Sequence, residues 1–408
     1  MMQLQVLDIR SVEIKSKNFQ NTNAFLDDQG YPVWIRFLDL QFAKKNIKIN
    51  LLKYEDIDKS KPYIVNLFID AKNWFENTED ILEGFPSYLK DELIYGKALL
   101  LINNDWESWS RNFLLSIYKK LDESNLNPLK VIYLSNAIDI ENEHYKICIE
   151  KNIMRWQQIK VLYSPHVFNN WPYALNFFAH EKDVVKTKRF LCLNRVVRDH
   201  RLMLTGMLSY HKLLDKSFYS LGTTKDEIQN YIKRSKPSVI VEGLQKIQKN
   251  VPIILDTSDF KTNHVGWDSL PFEFYQKSYF SLVSGTYALK NQELSRGINE
   301  KELKPILAKH PFILWNRPFT LKYLRSEGFL TFDKWFDESY DNEENDQKRL
   351  TMVVQEVKRL CSIPSTTLDT IVDDMKHVLD HNYTNATERL SDRIFYSSDL
   401  KYFLNYIA

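Results

Sequence analysis

Glycine is scarce in this chain. Only 10 of its 408 residues are glycine, roughly a third of the usual ~7% share. No two stand close enough to form G-x-G-x-x-G or a Walker A loop. That sets aside the P-loop ATPases and the fingerprint-type dinucleotide dehydrogenases. A phosphate held here must be held by side chains and a helix N-terminus. Cysteine is also sparse: Cys148, Cys192 and Cys361 are scattered, with no C-x-x-C. Zinc ribbons and disulfide scaffolds are thereby excluded, and a reduced, cytoplasmic setting fits. Neither charge is in excess, with 55 Lys plus Arg against 53 Asp plus Glu and a net charge of +2. That balance argues against a dedicated nucleic-acid coat but leaves room for a local basic cleft. The start, MMQLQVLDIRSVEIK, lacks the basic-then-apolar design of a secretory signal. Apolar runs such as Ala98–Ile102 are too short to span a bilayer. The sequons at Asn382 and Asn385 then read as accidental.

What is present is an ordinary globular balance, 44% hydrophobic and 26% charged. At this length about two domains are expected. Short apolar runs alternate with amphipathic ones, without repeats or low-complexity linkers. Strands are expected at Tyr63–Ile69, Ala98–Ile102, Lys130–Leu134 and Ile159–Tyr163, with a helix at Ser108–Leu121 capped by Ser108. Residues 1–60 are expected to add further strands. In the second half, strands are expected at Phe190–Leu193, Ser217–Leu221, Tyr279–Val283 and Pro311–Leu314. Helices are expected at Asp199–Leu214 (capped by Asp199), Lys225–Arg234, Glu300–Lys309 and Phe319–Glu327, the last stopped by Gly328. From Asp346 the pattern is helical, ending in Glu388–Ile407. Nearly continuous apolar strands suit parallel sheets covered on both faces. The fold class expected is therefore α/β: two Rossmann-like domains, residues 1–185 and 186–408, facing a cleft, with a helical C-terminal tail.

Two clusters carry candidate chemistry. In KRFLCLNRVVRDHR, residues 188–201, a strand ends and Asn194, Arg195, Arg198, His200 and Arg201 follow in a loop and first helical turn. Doubly wound sheets bind ligands at such strand-to-helix positions, and an Arg fork grips phosphate through two hydrogen bonds. Later, INEKELKPILAKHPFILW places Glu300 and Lys301 in a first helical turn, followed by Lys304 and by Pro305, which should bend or shorten the helix. Glu300 suits a ribose diol, and Lys301 or Lys304 a diphosphate.

Taken together, over about residues 188–342, these segments resemble the carboxyl-terminal half of phage and bacterial glycosyltransferases of the GT-B type. In that family a strand ending in Asn-Arg opens the second domain, and a Ser/Thr-Glu-Lys-x-x-Lys-Pro motif precedes a His-Pro-Phe strand. The stretch LKYLRSEGFLTFDKWFDESYDN, residues 321–342, is also similar to that family. The Glu-Lys pair is similar to that of GT-B fucosyltransferases, in which the Glu contacts the ribose and the Lys the diphosphate. Two positions depart from the family pattern: Asn299 where Ser or Thr is common, and Gly285 where Glu is expected. The resemblance implies a hexosyl- or pentosyltransferase without cofactor or metal. A nucleotide-sugar would be its donor, held by Asn194, Arg195, Arg198, His200, Glu300, Lys301 and Lys304. The acceptor is a hydroxyl of a glycan or lipid-linked sugar, or of a hydroxymethylated base in phage DNA, in which case the enzyme works in the host cytoplasm. A DNA acceptor needs a basic surface, for which Lys44, Lys45 and Lys48, or Lys186 and Arg189, are candidates. The rival reading is a nucleotide- or nucleic-acid-binding module without turnover.

If transfer inverts, a general base is expected at a strand end of the first domain. Asp105 is preferred, flanked by Asn103, Asn104 and Trp106, ahead of Asp70, Glu107, Glu83 and His166. Other constellations read as structural. Asp56 and Asp58 form a D-x-D in a polar surface turn. His377 and His381 stand i,i+4 on a helix with no third zinc ligand. No G-x-S-x-G occurs. Cys148 and Cys192 lie on apolar stretches and read as buried and inert. The acidic run Asp337–Asp346 reads as a solvated connector, and Tyr340 as a packing residue.

Overall fold

The computed structural model describes residues 2–8, 47–68, 82, 85–104, 111–135, 140–163, 184–255, 272–286, 288–289 and 300–389. Those before residue 164 form one compact unit and those from Val184 onward form another. Each contains one parallel sheet.

The first unit has six strands: β1 Met2–Leu7, β2 Ile47–Leu52, β3 Tyr63–Phe68, β4 Ala98–Asn104, β5 Val131–Ser135 and β6 Lys160–Tyr163. Their order is β2-β1-β3-β4-β5-β6, every pairing parallel. Helices α1 (Ser87–Ile94), α2 (Arg111–Ser124) and α3 (Ile140–Glu150) connect them. On one face Val65, Leu67, Leu100, Ile102, Val131 and Val161 pack against Phe113, Ile117 and Leu121 of α2 and Ile147 of α3. Phe113, Ile117 and Leu121 recur every four residues, so one stripe of α2 is buried, at about 1.5–3 kcal/mol per side chain. The alternate strand residues Ile64, Leu99, Ile132 and Leu134 are buried as well. Burial on both faces is why these strands read as unbroken apolar runs.

The second unit has four strands: β7 Lys188–Asn194, β8 Ser217–Leu221, β9 Ser278–Ser284 and β10 Phe312–Trp315. Their order is β10-β9-β7-β8, again all parallel. Helix α4 (Asp199–Tyr210) follows β7, and α5 (Lys225–Arg234) and α6 (Val239–Ile247) follow β8. The α6 helix has no counterpart in the sequence-based expectation. It approaches α4 closely: a Cβ on Gly243 would stand 1.8 Å from the Gly206 carbonyl oxygen, and Ser209 Oγ donates to the Gly243 carbonyl at 2.8 Å. Helix α7 (Phe272–Gln276) precedes β9, α8 (Glu300–Leu307) precedes β10, and α9 (Thr320–Ser326) follows it. The chain continues through α10 (Asp346–Ser362), α11 (Ser365–Asp374) and α12 (Lys376–Thr384). Residues 385–389 close the described part as a π-helical turn, and the rest of the helix expected at Glu388–Ile407 lies outside the described residues.

Several local expectations change. α4 stops at Tyr210, four residues early, and Lys212 adopts a left-handed backbone (φ 56°) that reverses the chain. Its N-cap position belongs to Arg198, without a side-chain cap, while Asp199 pairs with Arg234. α5 does have a capping box: Thr224 accepts from the Glu227 amide, and the Glu227 carboxylate accepts from the Thr224 amide at 2.7 Å. Pro305 lacks an amide proton, and α8 ends two residues after it. Gly328, at φ 82°, terminates α9 as expected.

The acidic run is no solvated connector. Asp341 is buried and accepts the amides of Leu321 and Lys322 at 2.9 and 3.0 Å, capping α9 from a distance. Glu338, also buried, accepts the Phe332 amide at 2.7 Å and Arg325 at 3.0 Å. Burial raises the affinity of both carboxylates for protons. Tyr340 is enclosed, its hydroxyl accepting the Leu314 amide at 3.3 Å.

Candidate functional site

The strand order locates the site. In β10-β9-β7-β8 the chain runs outward one way from β7 to β8 and the other way from β9 to β10. The direction reverses between β7 and β9, and parallel α/β sheets take ligands outside the carboxyl ends at that reversal. β7 ends at Asn194 and β9 at Ser284; Asn194 is level with Leu221 of β8, and Ser284 with Trp315 of β10. One residue further on stand Arg195, Gly222, Gly285 and Asn316. Two of the chain's few glycines thus lie on this edge, Gly222 against backbone and Gly285 against a side chain. A Cβ on Gly222 would come within 1.9 Å of the Arg195 carbonyl oxygen, and one on Gly285 within 2.5 Å of Asn316 Cγ. The second contact explains why glycine replaces the expected Glu at 285: Asn316 fills that space.

Asn316 connects the elements. Its Nδ2 donates to Glu302 Oε1 at 2.8 Å, and its Oδ1 accepts the Arg317 amide at 2.8 Å. Glu302, in the first turn of α8, is fully buried. The Gly285 carbonyl accepts from His200 Nε2 at 2.9 Å. His200 lies in the first turn of α4, and its own carbonyl accepts from Trp315 Nε1 at 3.2 Å. A continuous series of contacts therefore runs from the first turn of α4 through the ends of β9 and β10 to the first turn of α8. Arg349 of α10 braces the same region. It is buried, lies over the Trp315 ring, and donates to the carbonyls of Asn316 at 3.0 Å, Ala288 at 2.6 Å and Glu343 at 2.8 Å.

The electrostatics follow from this packing. His200 is pushed down to about 3, first by burial and then by the positive charges of Arg201, Arg198 and Lys301. It is a neutral imidazole with its proton on Nε2, and so adds no positive charge to the arginines around it. Arg201 is buried too, donating to the Val196 carbonyl at 2.7 Å beneath the 195–198 loop. Partly exposed cations are Arg195, Arg198 and Arg317, just beyond the strand ends, and Lys301 and Lys304 in the first two turns of α8. Among the described residues here, Asn194 Oδ1, Ser284 Oγ and His200 Nδ1 are buried polar atoms with no hydrogen-bond partner. Each costs about 1–3 kcal/mol while unsatisfied, and their concentration at the switch point of one sheet marks a site rather than a core.

Of the sequence-derived candidates, Asn194, Arg195, Arg198, His200, Lys301 and Lys304 belong to this unit and edge. Glu300 opens α8, with its side chain outside what is described. Asp105, Asp70, Glu107, Glu83, His166, Lys44 and Lys45 also lie outside the described residues. Lys186 and Arg189 do not form a basic strip. Lys186 is largely enclosed and donates to the carbonyls of Gln276 at 3.3 Å and Ser278 at 2.9 Å, and Arg189 stacks on Tyr279 at 5.6 Å. Sequence reasoning missed Glu302, Asn316, Ser284 and Arg349. One signal was legible: β7 and β10 share an ending, FLCLNR and FILWNR, so Asn316-Arg317 repeats Asn194-Arg195.

The other constellations are structural. Asp58 accepts from the Ser60 amide at 3.1 Å and hydroxyl at 2.6 Å, which holds its carboxyl below the usual range. His377 and His381 each meet a backbone carbonyl, of Asp374 at 2.9 Å and Gly328 at 2.8 Å. Among the described residues no group of His, Cys, Asp or Glu forms a metal-ligating cluster. All three cysteines are buried thiols, and burial pushes Cys192 up to about 12 and Cys361 to about 11. No helix among the described residues is long and apolar enough to cross a membrane.

No family model matches the chain, and no curated protein matches its sequence. Solved structures do. The N-terminal domain of Candida albicans trehalose-6-phosphate phosphatase shares 10% identity at TM-score 0.40, over 97% of this chain and 96% of that one. A UDP-forming α,α-trehalose-phosphate synthase from Burkholderia xenovorans shares 11% at TM-score 0.44, over 92% and 79%. A mutant of S. aureus TarM, in complex with fondaparinux, α-GlcNAc-glycerol and UDP, shares 12% at TM-score 0.36, over 76% and 51%.

Proposed function

We propose that this chain is a glycosyltransferase of the GT-B type and that its second unit holds the diphosphate of a nucleotide-sugar donor. One observation carries the reading: the first turns of α4 and α8, far apart in sequence, join at the switch point of one parallel sheet, so that Arg198 and Lys301 both bear on His200. Cations gathered there answer a chemical need. As the glycosidic bond breaks, negative charge grows on the departing diphosphate, and fixed positive groups lower that barrier directly. In this reading Arg195, Arg198 and Lys301 take the diphosphate, with Lys304 behind them, so that side chains supply the charge a metal supplies elsewhere. Glu300 takes the ribose. Asn194, His200 and Ser284 offer two acceptors and a hydroxyl to the polar edge of the donor. Asp105 is the proposed base if transfer inverts the anomeric centre.

Thermal-shift measurement against UDP, GDP, CDP and CMP tests the donor site, because a ligand of the folded state raises its stability by mass action. One diphosphate is expected to raise the melting temperature by several degrees, and incubation with its sugar conjugates to release it. No shift with any nucleotide would remove the proposal. Binding without release would move it to a non-enzymatic nucleotide-binding module. The acceptor is proposed only as a hydroxyl. Transfer to hydroxymethylated duplex DNA that falls steeply with salt selects the DNA base, and salt-insensitive transfer to a free sugar selects a glycan.

A further inference from the structure

The first unit exposes an apolar edge at the opposite end of its sheet, where β4, β5 and β6 begin. α3 ends at Glu150, and Asn152, with a left-handed backbone (φ 52°), turns the chain back so that the Ile153 amide donates to the Cys148 carbonyl at 2.8 Å. Tyr145 and Ile149, one turn apart on α3, are 67% and 59% exposed; Met154 and Trp156, just beyond the turn, are 51% and 67% exposed. The short turn Arg155–Gln157 neighbours the turn Pro128–Lys130. Lys130 Nζ in turn donates to the carbonyls of Leu93, Ile94 and Gly96 at 3.1, 3.1 and 2.7 Å, fixing the loop that carries Tyr95, 83% exposed. Five of the eleven exposed large apolar side chains among the described residues therefore share this one edge. Concentration of that kind marks an interaction surface.

Beside Met154 and Trp156 the chain carries only positive charge, whereas on the Tyr95 side the acids Asp91 and Glu92 precede Lys97. Residues 151–160 carry Lys151, Arg155 and Lys160, and residues 95–97 carry Lys97, with no carboxylate in either stretch. The adjoining Glu150 is paired with Arg111. We propose that this edge docks on an anionic lipid bilayer. Trp and Tyr favour the headgroup level, Ile149 and Met154 bury among acyl chains, and Lys151 and Arg155 meet lipid phosphates. Nucleic acid fits less well, because bases stack on aromatic rings but gain little from exposed aliphatic side chains. The edge also lies at the amino ends of the strands. Docking there leaves the carboxyl ends of this sheet, where parallel sheets take ligands, turned away from the lipid.

Vesicle flotation of the full chain tests the proposal. Flotation is expected with phosphatidylcholine vesicles containing about a third phosphatidylglycerol, weakly or not at all with phosphatidylcholine alone, and it should fall as salt is raised. Lys151→Glu with Arg155→Glu should weaken it roughly tenfold or more, and Met154→Ser with Trp156→Ser should weaken it comparably. Leu330→Ser, an exposed apolar residue of the second unit, should float like the parent. All these side chains are exposed, so melting temperatures should stay at the parent value and separate lost docking from lost folding. Absence of flotation with anionic vesicles, or flotation unchanged in both double variants, would overturn the proposal. So would binding of a single-stranded oligonucleotide through these residues with no vesicle binding.

Discussion

The two edges of the second sheet make an instructive pair, because each holds a buried histidine and a set of cations. At the amino edge His310 has both nitrogens engaged: Nδ1 meets Ser281 Oγ at 2.8 Å, and Nε2 meets the Ser278 carbonyl at 3.0 Å. The lysines there are spent on backbone. Lys186 is held by two carbonyls, Lys188 Nζ donates to the Asp215 carbonyl at 2.7 Å, and Lys216 Nζ donates to that of Cys361 at 3.3 Å. One guanidinium atom, Arg189 Nη1, is buried there without a partner. At the carboxyl edge His200 has one nitrogen engaged and one without a partner, and Asn194 Oδ1 and Ser284 Oγ share that condition. The histidine is thus fully engaged at one edge and half engaged at the other. A positively charged cluster in sequence is therefore poor evidence of a site until the carbonyls that consume it are counted.

Substitutions sharpen this contrast. The largest effect is expected at the carboxyl edge: Arg195→Ala should cut donor turnover by at least about a hundredfold, as removal of a charge-stabilising group does, with the melting temperature nearly unchanged. Turnover assays and calorimetry on the same preparation check this, and a fully active variant would remove Arg195 from the site. The converse is expected at the amino edge. His310→Ala leaves Ser281 and the Ser278 carbonyl unsatisfied around a cavity, at about 2–3 kcal/mol in urea unfolding, while activity per folded molecule holds. Loss of activity without loss of stability would erase the distinction between the edges.

Acid should act on the buried histidines together. Burial pushes His144 down to about 4 and His200 and His310 to about 3, against an unfolded value of 6.5. The unfolded chain binds protons that the folded chain refuses. Their contribution is complete above about pH 6.5 and is lost progressively as the pH falls towards 3–4. Urea melts from neutral pH downward should show stability declining below about 6.5, with a shallower decline in His310→Gln. An equal decline in the variant would mean that His310 takes up its proton without unfolding. The smallest effect belongs to the D-x-D. Asp58 serves its own exposed turn, so Asp58→Asn should leave both turnover and melting temperature within error. A metal-dependent loss of turnover would revive Asp58 as a ligand.

Strand positions were readable because period and composition are local. Parallel strands buried on both faces give runs such as LLLI and FLCL, and Ser217–Leu221 and Lys225–Arg234 match the expected bounds to the residue. Helix ends were less readable. α4 stops where Lys212 adopts a left-handed backbone, and α6 has a stripe that makes sense only once Gly206 allows its approach. Half of the site was legible for the same local reason, since cations that follow a strand and open a helix announce themselves. Glu302, Ser284 and Asn316 did not. A carboxylate on a short helix looks like any surface acid until an asparagine from another strand donates to it.

By itself the sequence determined two parallel α/β sheets, a helical C-terminal region, and cations behind two strands of the second sheet, all consequences of side-chain period and backbone chemistry over a few residues. Only the tertiary structure decided which strands are neighbours. That order placed the reversal between β7 and β9, brought Gly285 against Asn316, neutralised His200 by burying it among Arg198, Arg201 and Lys301, and spent Lys186 on two carbonyls. These outcomes depend on contacts between residues tens of positions apart, and a local pattern carries no information about which distant dipole or charge a side chain will meet.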